Sequence, residues 1–268
     1  MKGEILDLQQ IRQIQLSMMD RLDAFCTSRG IRYSLSGGSL LGAVRHHGFI
    51  PWDDDMDVLM PRPDYERFLI EFPLSGQEGC ILENLRTDPD WPLSFTKLMD
   101  TGTVLVQRRN GLRRYGVFID IFAVDGQPSD DAAMELYYRR YRHLSHELHK
   151  RAPLHRFTDK PSIKAKVVIR RCFHGPSKTV VRAIDELLAS YPFESSEYAG
   201  AIMGGSGMGT HIPKTVFEHY TRLPFEDREY SCLQDYDTYL SRMYGDYMTP
   251  PPPRKRVSPH LETCYKIK

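Results

Sequence analysis

The sequence has almost no excess charge and no long hydrophobic run. Its 268 residues include 36 basic and 35 acidic side chains, which gives a formal net charge of +1. Nucleic-acid-binding domains carry basic patches or an overall positive charge, so this balance does not favour a nucleic-acid partner. No segment approaches the roughly 18 consecutive apolar residues of a membrane span, and the first residues lack the apolar core of a signal peptide. We therefore expect a cytoplasmic protein without a transmembrane segment, whose contact with the inner membrane face, if any, is peripheral.

Cysteine is scarce, and its pattern argues against cross-links. The five cysteines are odd in number and far apart, with no CxxC pair and no histidine at zinc-finger spacing. This excludes a disulfide scaffold and favours a reducing compartment. A composition of 41% hydrophobic and 26% charged residues is that of a globular protein. We expect a single domain over residues 1–268.

The most informative segment contains a dense acidic cluster. It reads SGGSLLGAVRHHGFIPWDDDMDV and begins at Ser36. Asp53, Asp55 and Asp57 alternate with other residues, so an extended chain would place all three carboxylates on one face. Three close carboxylates repel one another unless a cation lies between them, and oxygen ligands suit Mg²⁺ or Mn²⁺ rather than zinc. A solvated acidic turn is the alternative, but the apolar residues on both sides favour the metal site.

A glycine turn precedes this cluster. Gly37, Gly38 and Ser39 follow a short predicted strand and open a predicted helix. The backbone amides of a helix N-terminus reached through glycines form an anion site, so the turn predicts phosphate binding. Arg45, on the same helix, and Lys97, on a later strand, are further candidates for phosphate oxygens. An exposed strand lysine is the alternative for Lys97.

An isolated acidic residue interrupts a later apolar strand. Asp120 lies within the run VFIDIFAV at residues 117–124, which is apolar enough for a strand buried on both faces. A buried carboxylate needs a partner. Asp120 is therefore a third metal ligand, a base that deprotonates an acceptor hydroxyl, or a structural group bound by an arginine or by backbone amides.

The arrangement of these motifs resembles a known family. Gly38-Ser39, a short helix and Asp55-Met56-Asp57 resemble the nucleotidyltransferase signature, and the longer string from Ser36 to Asp57 resembles the LicD family. Further matches occur in the strand around Asp120 and in the C-terminal blocks LPFED, YLSRMYGD and PPPP. The resemblance implies that Asp55, Asp57 and Asp120 are catalytic. It leaves open whether Asp53 or Asp55 provides the first metal ligand.

The resemblance also implies a fold and a reaction. The fold is an α/β (α+β) nucleotidyltransferase-like mixed sheet flanked by helices, with a helical insertion over residues 127–200. The reaction is a metal-dependent transfer of a phospho-alcohol, with phosphocholine the leading choice, from a CDP-alcohol such as CDP-choline. The acceptor is a hydroxyl of a cell-surface glycan, such as lipopolysaccharide or teichoic acid, or of its lipid-linked saccharide precursor, and CMP leaves. The alternatives are a nucleotidyltransferase that releases pyrophosphate from an NTP and an inactive binding protein with the same fold.

Periodicity predicts where the helices lie. Apolar residues at helical spacing predict a first helix over residues 6–29. Within the insertion, the pattern predicts helices over residues 131–150, 163–172 and 178–190. A last helix is predicted to end at Gly245.

Overall fold

The protein has a mixed α/β architecture. The computed structural model describes residues 3–76, 78–88, 91–107, 113–151, 177–202, 211–256 and 263–267. Its α-helices are α1 (Leu8–Arg29), α2 (Gly37–His46), α3 (Arg62–Leu74), α4 (Asp131–Arg151), α5 (Ser177–Leu188) and α6 (Tyr236–Tyr244). None of the helices in these ranges combines the length and the apolar character needed to cross a membrane.

The strands fall into three sheets. In chain order they are β1 (Ile5–Leu6), β2 (Ser34–Leu35), β3 (Asp57–Pro61), β4 (Cys80–Glu83), β5 (Thr96–Asp100), β6 (Thr103–Gln107), β7 (Arg113–Tyr115), β8 (Phe118–Gln127), β9 (Tyr198–Gly200), β10 (Ile212–Pro213), β11 (Tyr220–Phe225), β12 (Arg228–Leu233) and β13 (Thr263–Lys266). The main sheet contains β2, β3, β4, β5, β8, β9 and β10. A smaller sheet joins β1, β13, β6 and β7, and β11 pairs with β12 in a hairpin. The predicted mixed α/β fold is confirmed.

Strand β8 is the centre of the main sheet. It pairs in parallel with β3, and its other edge pairs in antiparallel fashion with β5 along its first half and with β9 along its second half. Ile119, Ile121 and Val124 are fully buried, which agrees with the apolar character of the strand. Every residue of β8 is therefore held by neighbours, and a polar side chain on it has a fixed position.

Helix α1 begins and ends where its sequence provides caps. The Asp7 carboxylate accepts a hydrogen bond from the Gln10 amide, and the Gln10 side chain accepts one from the Asp7 amide, which forms a capping box. At the other end Gly30 adopts φ +60°, a left-handed conformation that glycine tolerates without strain. The predicted helix over residues 6–29 is confirmed, with its start at Leu8.

Two helices of the predicted insertion pack against each other. A small apolar core of α4 and α5 includes Tyr137, Tyr141, Val180 and Ile184. The helices predicted at 131–150 and 178–190 match α4 and α5 closely. The helix predicted at 163–172 lies outside the described residues. The assignment of residues 1–268 to one domain with an insertion at 127–200 stays a prediction.

Candidate active site

The acidic cluster forms a turn between α2 and β3. One carboxylate oxygen from each of Asp53, Asp54 and Asp55 lies within 4.8 Å of the other two. Strand β3 begins only at Asp57, so the argument that placed Asp53 and Asp55 on one face of a strand is wrong about the local structure. The turn brings the carboxylates together instead. It also includes Asp54, which is only 5% exposed. The strand prediction had placed Asp54 on the opposite face.

The main sheet brings Asp57 and Asp120 together. The two residues are register partners on the parallel strands β3 and β8, and the Asp120 amide donates a hydrogen bond to the Met56 carbonyl at 2.9 Å. The two strands therefore place Asp57 and Asp120 side by side, at the point where the acidic turn leads into β3. The structure thus joins residues that are more than 60 positions apart in the sequence.

The electrostatics of Asp57 confirm that the acidic groups share one region. Burial raises the pKa of Asp57 well above its ordinary value, and the negative charges of Asp55, Asp120 and Asp53 raise it further. The positive charge of Lys97 acts in the opposite direction. Burial first, and the surrounding negative charges second, thus disfavour ionised Asp57, and a divalent cation would neutralise those charges.

Lys97 is the cation nearest to Asp120 on the sheet. The two are register partners on β5 and β8, and the Lys97 ammonium forms an ion pair with the Asp120 carboxylate. Lys97 is only 4% exposed, and its Nζ lies 3.2 Å from the centroid of the Phe118 ring. The interpretation of Lys97 as an exposed strand lysine is therefore wrong. A role in phosphate binding for Lys97, and roles as ligand or base for Asp120, stay predictions.

The glycine turn packs directly against the acidic residues. Gly37 adopts φ +50°, which strains any residue with a side chain, and a Cβ on Gly38 would lie 2.5 Å from an Asp53 carboxylate oxygen, so that carboxylate would have to move. Ser39 Oγ accepts a hydrogen bond of 2.9 Å from the Asp57 amide. The start of α2 and the start of β3 are thus held together, as the phosphate-site prediction requires.

Arg45 lies farther along α2 and contacts the C-terminal part of the chain. One Nη donates to the Tyr247 carbonyl at 2.5 Å, and Nε donates to His46 Nε2 at 3.0 Å. Burial lowers the pKa of Arg45, and the nearby positive charge of Arg256 lowers it further. The structure thus places Arg45 beside a second arginine, and its predicted role in phosphate binding stays a prediction.

Sequence reasoning missed two residues of α1 that support the acidic turn. Arg12 donates from Nη2 to the carbonyls of Ile50 at 2.8 Å and Asp53 at 2.6 Å. Gln15 donates from Nε2 to the Asp54 carbonyl at 3.0 Å. The one available signal was Gln15 itself, a polar residue on the buried stripe of an amphipathic helix. Both side chains bind backbone carbonyls of the acidic turn.

Helix α6 closes the other side of the glycine turn. The Tyr239 hydroxyl shares a hydrogen bond of 2.9 Å with Ser36 Oγ in a buried contact. Burial raises the pKa of the Tyr244 hydroxyl, and the charges of Asp57 and Asp53 contribute to the rise. The C-terminal helix therefore borders the acidic region.

The donor set fits a hard divalent cation. Asp53, Asp54, Asp55, Asp57 and Asp120 provide carboxylate oxygens only, and Mg²⁺ and Mn²⁺ prefer oxygen ligands. Asp54 and Asp120 are largely buried, and buried carboxylates are costly unless positive charge compensates them; Lys97 compensates part of this charge at Asp120.

Comparison with known proteins agrees with this geometry. Residues 30–158 match the family model described as LicD/FKTN/FKRP, nucleotidyltransferase domain. The chain is 29% identical over 266 residues to the lipopolysaccharide cholinephosphotransferase LicD of Haemophilus influenzae, and the match covers 97% of this chain and 98% of that protein. A segment of 29 residues is 66% identical to the human ribitol 5-phosphate transferase FKRP and covers 11% of this chain and 6% of that protein.

The matched domain contains the glycine turn, the acidic turn and Asp120, and the similarity to the Haemophilus protein extends over nearly the whole chain. Residues 30–158 therefore match the nucleotidyltransferase domain of the LicD/FKTN/FKRP model, and the chain is similar to the Haemophilus LicD protein over nearly its whole length.

Proposed function

We propose that the protein is a metal-dependent transferase that moves phosphocholine from CDP-choline to a hydroxyl of a cell-surface glycan or its lipid-linked precursor, with release of CMP. The proposal depends mainly on one observation. The acidic turn leads into Asp57, Asp57 pairs with Asp120 in the sheet, and the glycine turn is hydrogen-bonded to Asp57. The nearly full-length similarity to a protein named as a lipopolysaccharide cholinephosphotransferase supports phosphocholine as the group that is transferred.

The carboxylates of Asp53, Asp55, Asp57 and Asp120 are the proposed ligands of Mg²⁺ or Mn²⁺, and the buried Asp54 lies with them. When bound, the cation would neutralise the charge of the donor diphosphate and polarise its phosphoryl oxygens. The backbone amides at the start of α2 are the proposed hydrogen-bond donors for phosphate oxygens, since a helix N-terminus favours anions. Binding and orientation thus come from residues already held in place by β3 and α2.

The transfer is a substitution at the phosphorus that carries choline. The acceptor oxygen forms a bond to this phosphorus, the bond from phosphorus to the bridging oxygen breaks, and CMP leaves with that oxygen and its electron pair. The hydroxyl proton passes to a carboxylate of the cluster. Asp120 is our candidate because it is separate from the turn and because the ion pair with Lys97 fixes its orientation.

We propose that this reaction takes place in the cytoplasm. Cys26, Cys80, Cys232 and Cys264 are free thiols, and the state of these four described cysteines agrees with a reducing compartment. The acceptor then reaches the protein as a precursor at the inner membrane face.

Product analysis tests the proposal. Purified protein is incubated with CDP-choline, acceptor glycan and Mg²⁺, and the nucleotide products are separated. We expect CMP to form together with a phosphocholine-modified glycan, and we expect EDTA to stop the reaction. Pyrophosphate release from CTP would instead support a nucleotidyltransferase, and no turnover and no binding of CDP-alcohols would support an inactive binding protein.

Parallel reactions identify the transferred group. CDP-ribitol, CDP-glycerol and CDP-ethanolamine are compared with CDP-choline at equal concentration. The local identity to a ribitol 5-phosphate transferase makes CDP-ribitol the most informative competitor. A higher kcat/KM for CDP-ribitol than for CDP-choline would contradict phosphocholine transfer. It would not contradict the proposed metal site.

A further inference from the structure

A line of cationic and aromatic side chains begins next to the acidic turn. The Arg256 guanidinium lies over the Trp52 ring at 5.3 Å from its centroid. The ring of His46 meets Trp52 edge to face at 6.2 Å between centroids, and His46 Nε2 accepts a hydrogen bond from Arg45. The C-terminal segment is thereby connected to α2 through Trp52, the residue directly before Asp53.

The two arginines in this line have no carboxylate partner among the described residues. Arg45 is bound to the Tyr247 carbonyl and to His46, and Arg256 Nε donates to the Pro251 carbonyl at 2.7 Å. By contrast, Arg32 and Arg62 form ion pairs with aspartates. The two guanidinium groups are close enough to repel each other, and among the described residues they bind neutral acceptors. Such a pair is suited to an anionic ligand.

The geometry holds Arg256 in an orientation suited to binding. Its guanidinium is fixed by the stack on Trp52 and by the hydrogen bond to Pro251, but the residue remains exposed. A guanidinium has five N–H donors, and these contacts use one of them, so several remain for phosphate oxygens. Arg45 likewise retains donors after its two hydrogen bonds.

We propose that Arg45 and Arg256, arranged around Trp52, form a binding site for the phosphate groups of the nucleotide donor, with Arg256 supplied by the C-terminal segment. This inference rests on the proposed function for the identity of the ligand as a nucleoside diphosphate ester. It assigns a role to Arg256, which the sequence motifs described above do not include. The C-terminal segment then belongs to the active site.

Direct binding measurements test this site without turnover. The probes are CDP and inorganic pyrophosphate in the presence of Mg²⁺, titrated by calorimetry into the full chain. For Arg256→Met we expect the dissociation constant of both probes to rise by about tenfold or more, because the variant loses charge-assisted hydrogen bonds to phosphate oxygens. Arg256→Lys keeps the charge without the planar stack, and we expect an intermediate value. Arg254→Met is the matched control, because Arg254 is an exposed arginine two residues away, and it should bind as the parent does.

Tryptophan fluorescence locates the binding event. The chain has two tryptophans, and Trp91 is fully buried whereas Trp52 is partly exposed. We expect CDP to change the emission of the parent, and we expect Trp52→Phe to abolish this change. Unchanged melting temperatures of the variants will show that they are folded.

The outcomes separate this inference from the proposed function. Equal affinity of the parent and Arg256→Met for both probes would overturn the inference even if CDP-choline is turned over. Arg256-dependent binding of pyrophosphate without any CMP release would support the anion site and contradict the proposed reaction. A parent that binds neither probe would overturn the inference.

Discussion

At the scale of single residues, the fold places several negatively charged carboxylates close together in the site. Asp57 illustrates the cost, because burial and the charges of Asp55, Asp120 and Asp53 raise its pKa. A raised carboxylate pKa means that the ionised form is disfavoured in the folded protein, so ionised Asp57 lowers stability at neutral pH. The residues that serve the proposed reaction therefore oppose folding when no cation is bound.

This conflict leads to a prediction for Asp57→Asn. We expect turnover of CDP-choline to fall by roughly 10³-fold, in line with the loss of one group that stabilises the transition state. We also expect the melting temperature of the metal-free variant at pH 7 to equal or exceed that of the parent, since the unfavourable charge is gone. Steady-state kinetics and calorimetry in EDTA measure the two effects.

The matched control for this prediction is Asp131→Asn. Asp131 is exposed in the first turn of α4, and we expect its replacement to leave turnover unchanged. A metal-free Asp57→Asn protein that melts well below the parent would show that Asp57 is needed for folding and would contradict the account of its charge.

At this scale the sequence led to the candidate residues because the residue types themselves carry the signal, and their roles stay predictions. Asp53, Asp55 and Asp57 stood in apolar surroundings, and Asp120 interrupted a buried strand. The ion pair between Lys97 and Asp120 was not predictable, because it depends on the register of β5 against β8. Strand register is decided by long-range pairing, which a single sequence does not display.

At the scale of elements, α1 acts as a support for the acidic turn. Arg12 binds the carbonyls of Ile50, Pro51 and Asp53, and its guanidinium also lies over the Phe49 ring at 4.8 Å. These contacts fix the backbone of the turn and therefore the directions of its carboxylates. A helix that has no carboxylate in the site thus determines the shape of the site.

Arg12→Met is predicted to weaken metal binding. Groups that orient metal ligands typically change metal affinity or activity by about 10–100-fold, and we expect the Mg²⁺ concentration for half-maximal activity to rise by that factor. Saturating Mg²⁺ should restore most of the turnover. The measurement is activity against Mg²⁺ concentration.

Arg21→Met, on the same helix, is the control for general damage to α1. Arg21 contacts the Glu78 carbonyl, away from the acidic turn, and its variant should keep the Mg²⁺ dependence of the parent. If Arg12→Met loses turnover at all Mg²⁺ concentrations with no shift of the midpoint, the supporting role of Arg12 is wrong.

A second contact between elements joins α5 to the main sheet through Arg62. Arg62 binds Asp125 with two hydrogen bonds of 2.6 and 2.8 Å, and it also reaches Asp185 on α5 at 3.0 Å. Burial raises the pKa of Asp125, and the hydrogen bond and charge of Arg62 oppose that rise. Removal of Arg62 would leave a buried carboxylate without its main partner.

For Arg62→Met we expect a loss of about 3–5 kcal/mol in the free energy of unfolding at pH 7. The pKa of Asp125 should rise further in this variant, so acidification protonates Asp125 in the folded state and removes the uncompensated charge. The difference in the free energy of unfolding between the variant and the parent should therefore become smaller as the pH falls from 7 towards 5. Urea unfolding at several pH values measures it.

Two further variants check this explanation. Arg62→Met combined with Asp125→Asn should recover part of the lost stability, because the buried charge is then absent. Arg67→Met removes an exposed i,i+4 ion pair with Glu71 and should have little effect. If the loss of stability in Arg62→Met does not depend on pH, the explanation by an uncompensated Asp125 carboxylate is wrong.

Elements with strong local signals were predictable, and those stabilised by distant contacts were not. Helix α1 was predictable from its apolar residues at helical spacing, and its capping box and terminal glycine are local features of the same segment. The β11–β12 hairpin was not predicted, because its turn uses Glu226 at φ +57° instead of a glycine. The Glu226 carboxylate accepts a hydrogen bond from the Phe49 amide at 3.0 Å, so a contact after α2 stabilises the turn.

At the scale of the whole molecule, the two ends of the chain meet in one small sheet. Strand β13 lies between β1 and β6, and the Lys266 amide donates to the Glu4 carbonyl at 2.9 Å. Cys264 on β13 is only 1% exposed. The C-terminal segment that carries Arg256 is therefore anchored on both sides, by α6 before it and by β13 after it.

Removal of residues 263–268 is predicted to affect both stability and donor binding. The deletion exposes the edges of β1 and β6, and we expect the melting temperature to fall by about 5 °C or more, which corresponds to roughly 2 kcal/mol for a chain of this size. The dissociation constant for CDP should rise because Arg256 loses one of its anchors. Calorimetric melting and titration measure the two effects, and Ile267→Ser at an exposed position is the control.

The most direct test of the central claim is a titration of the metal-free protein with Mn²⁺, followed by electron paramagnetic resonance of the free ion. The account predicts saturable Mn²⁺ binding by the parent, competition by Mg²⁺, and binding at least about tenfold weaker in Asp57→Asn. A folded parent that binds no Mn²⁺, or an Asp57→Asn variant that binds it as tightly as the parent, would contradict the claim that these carboxylates hold a divalent cation.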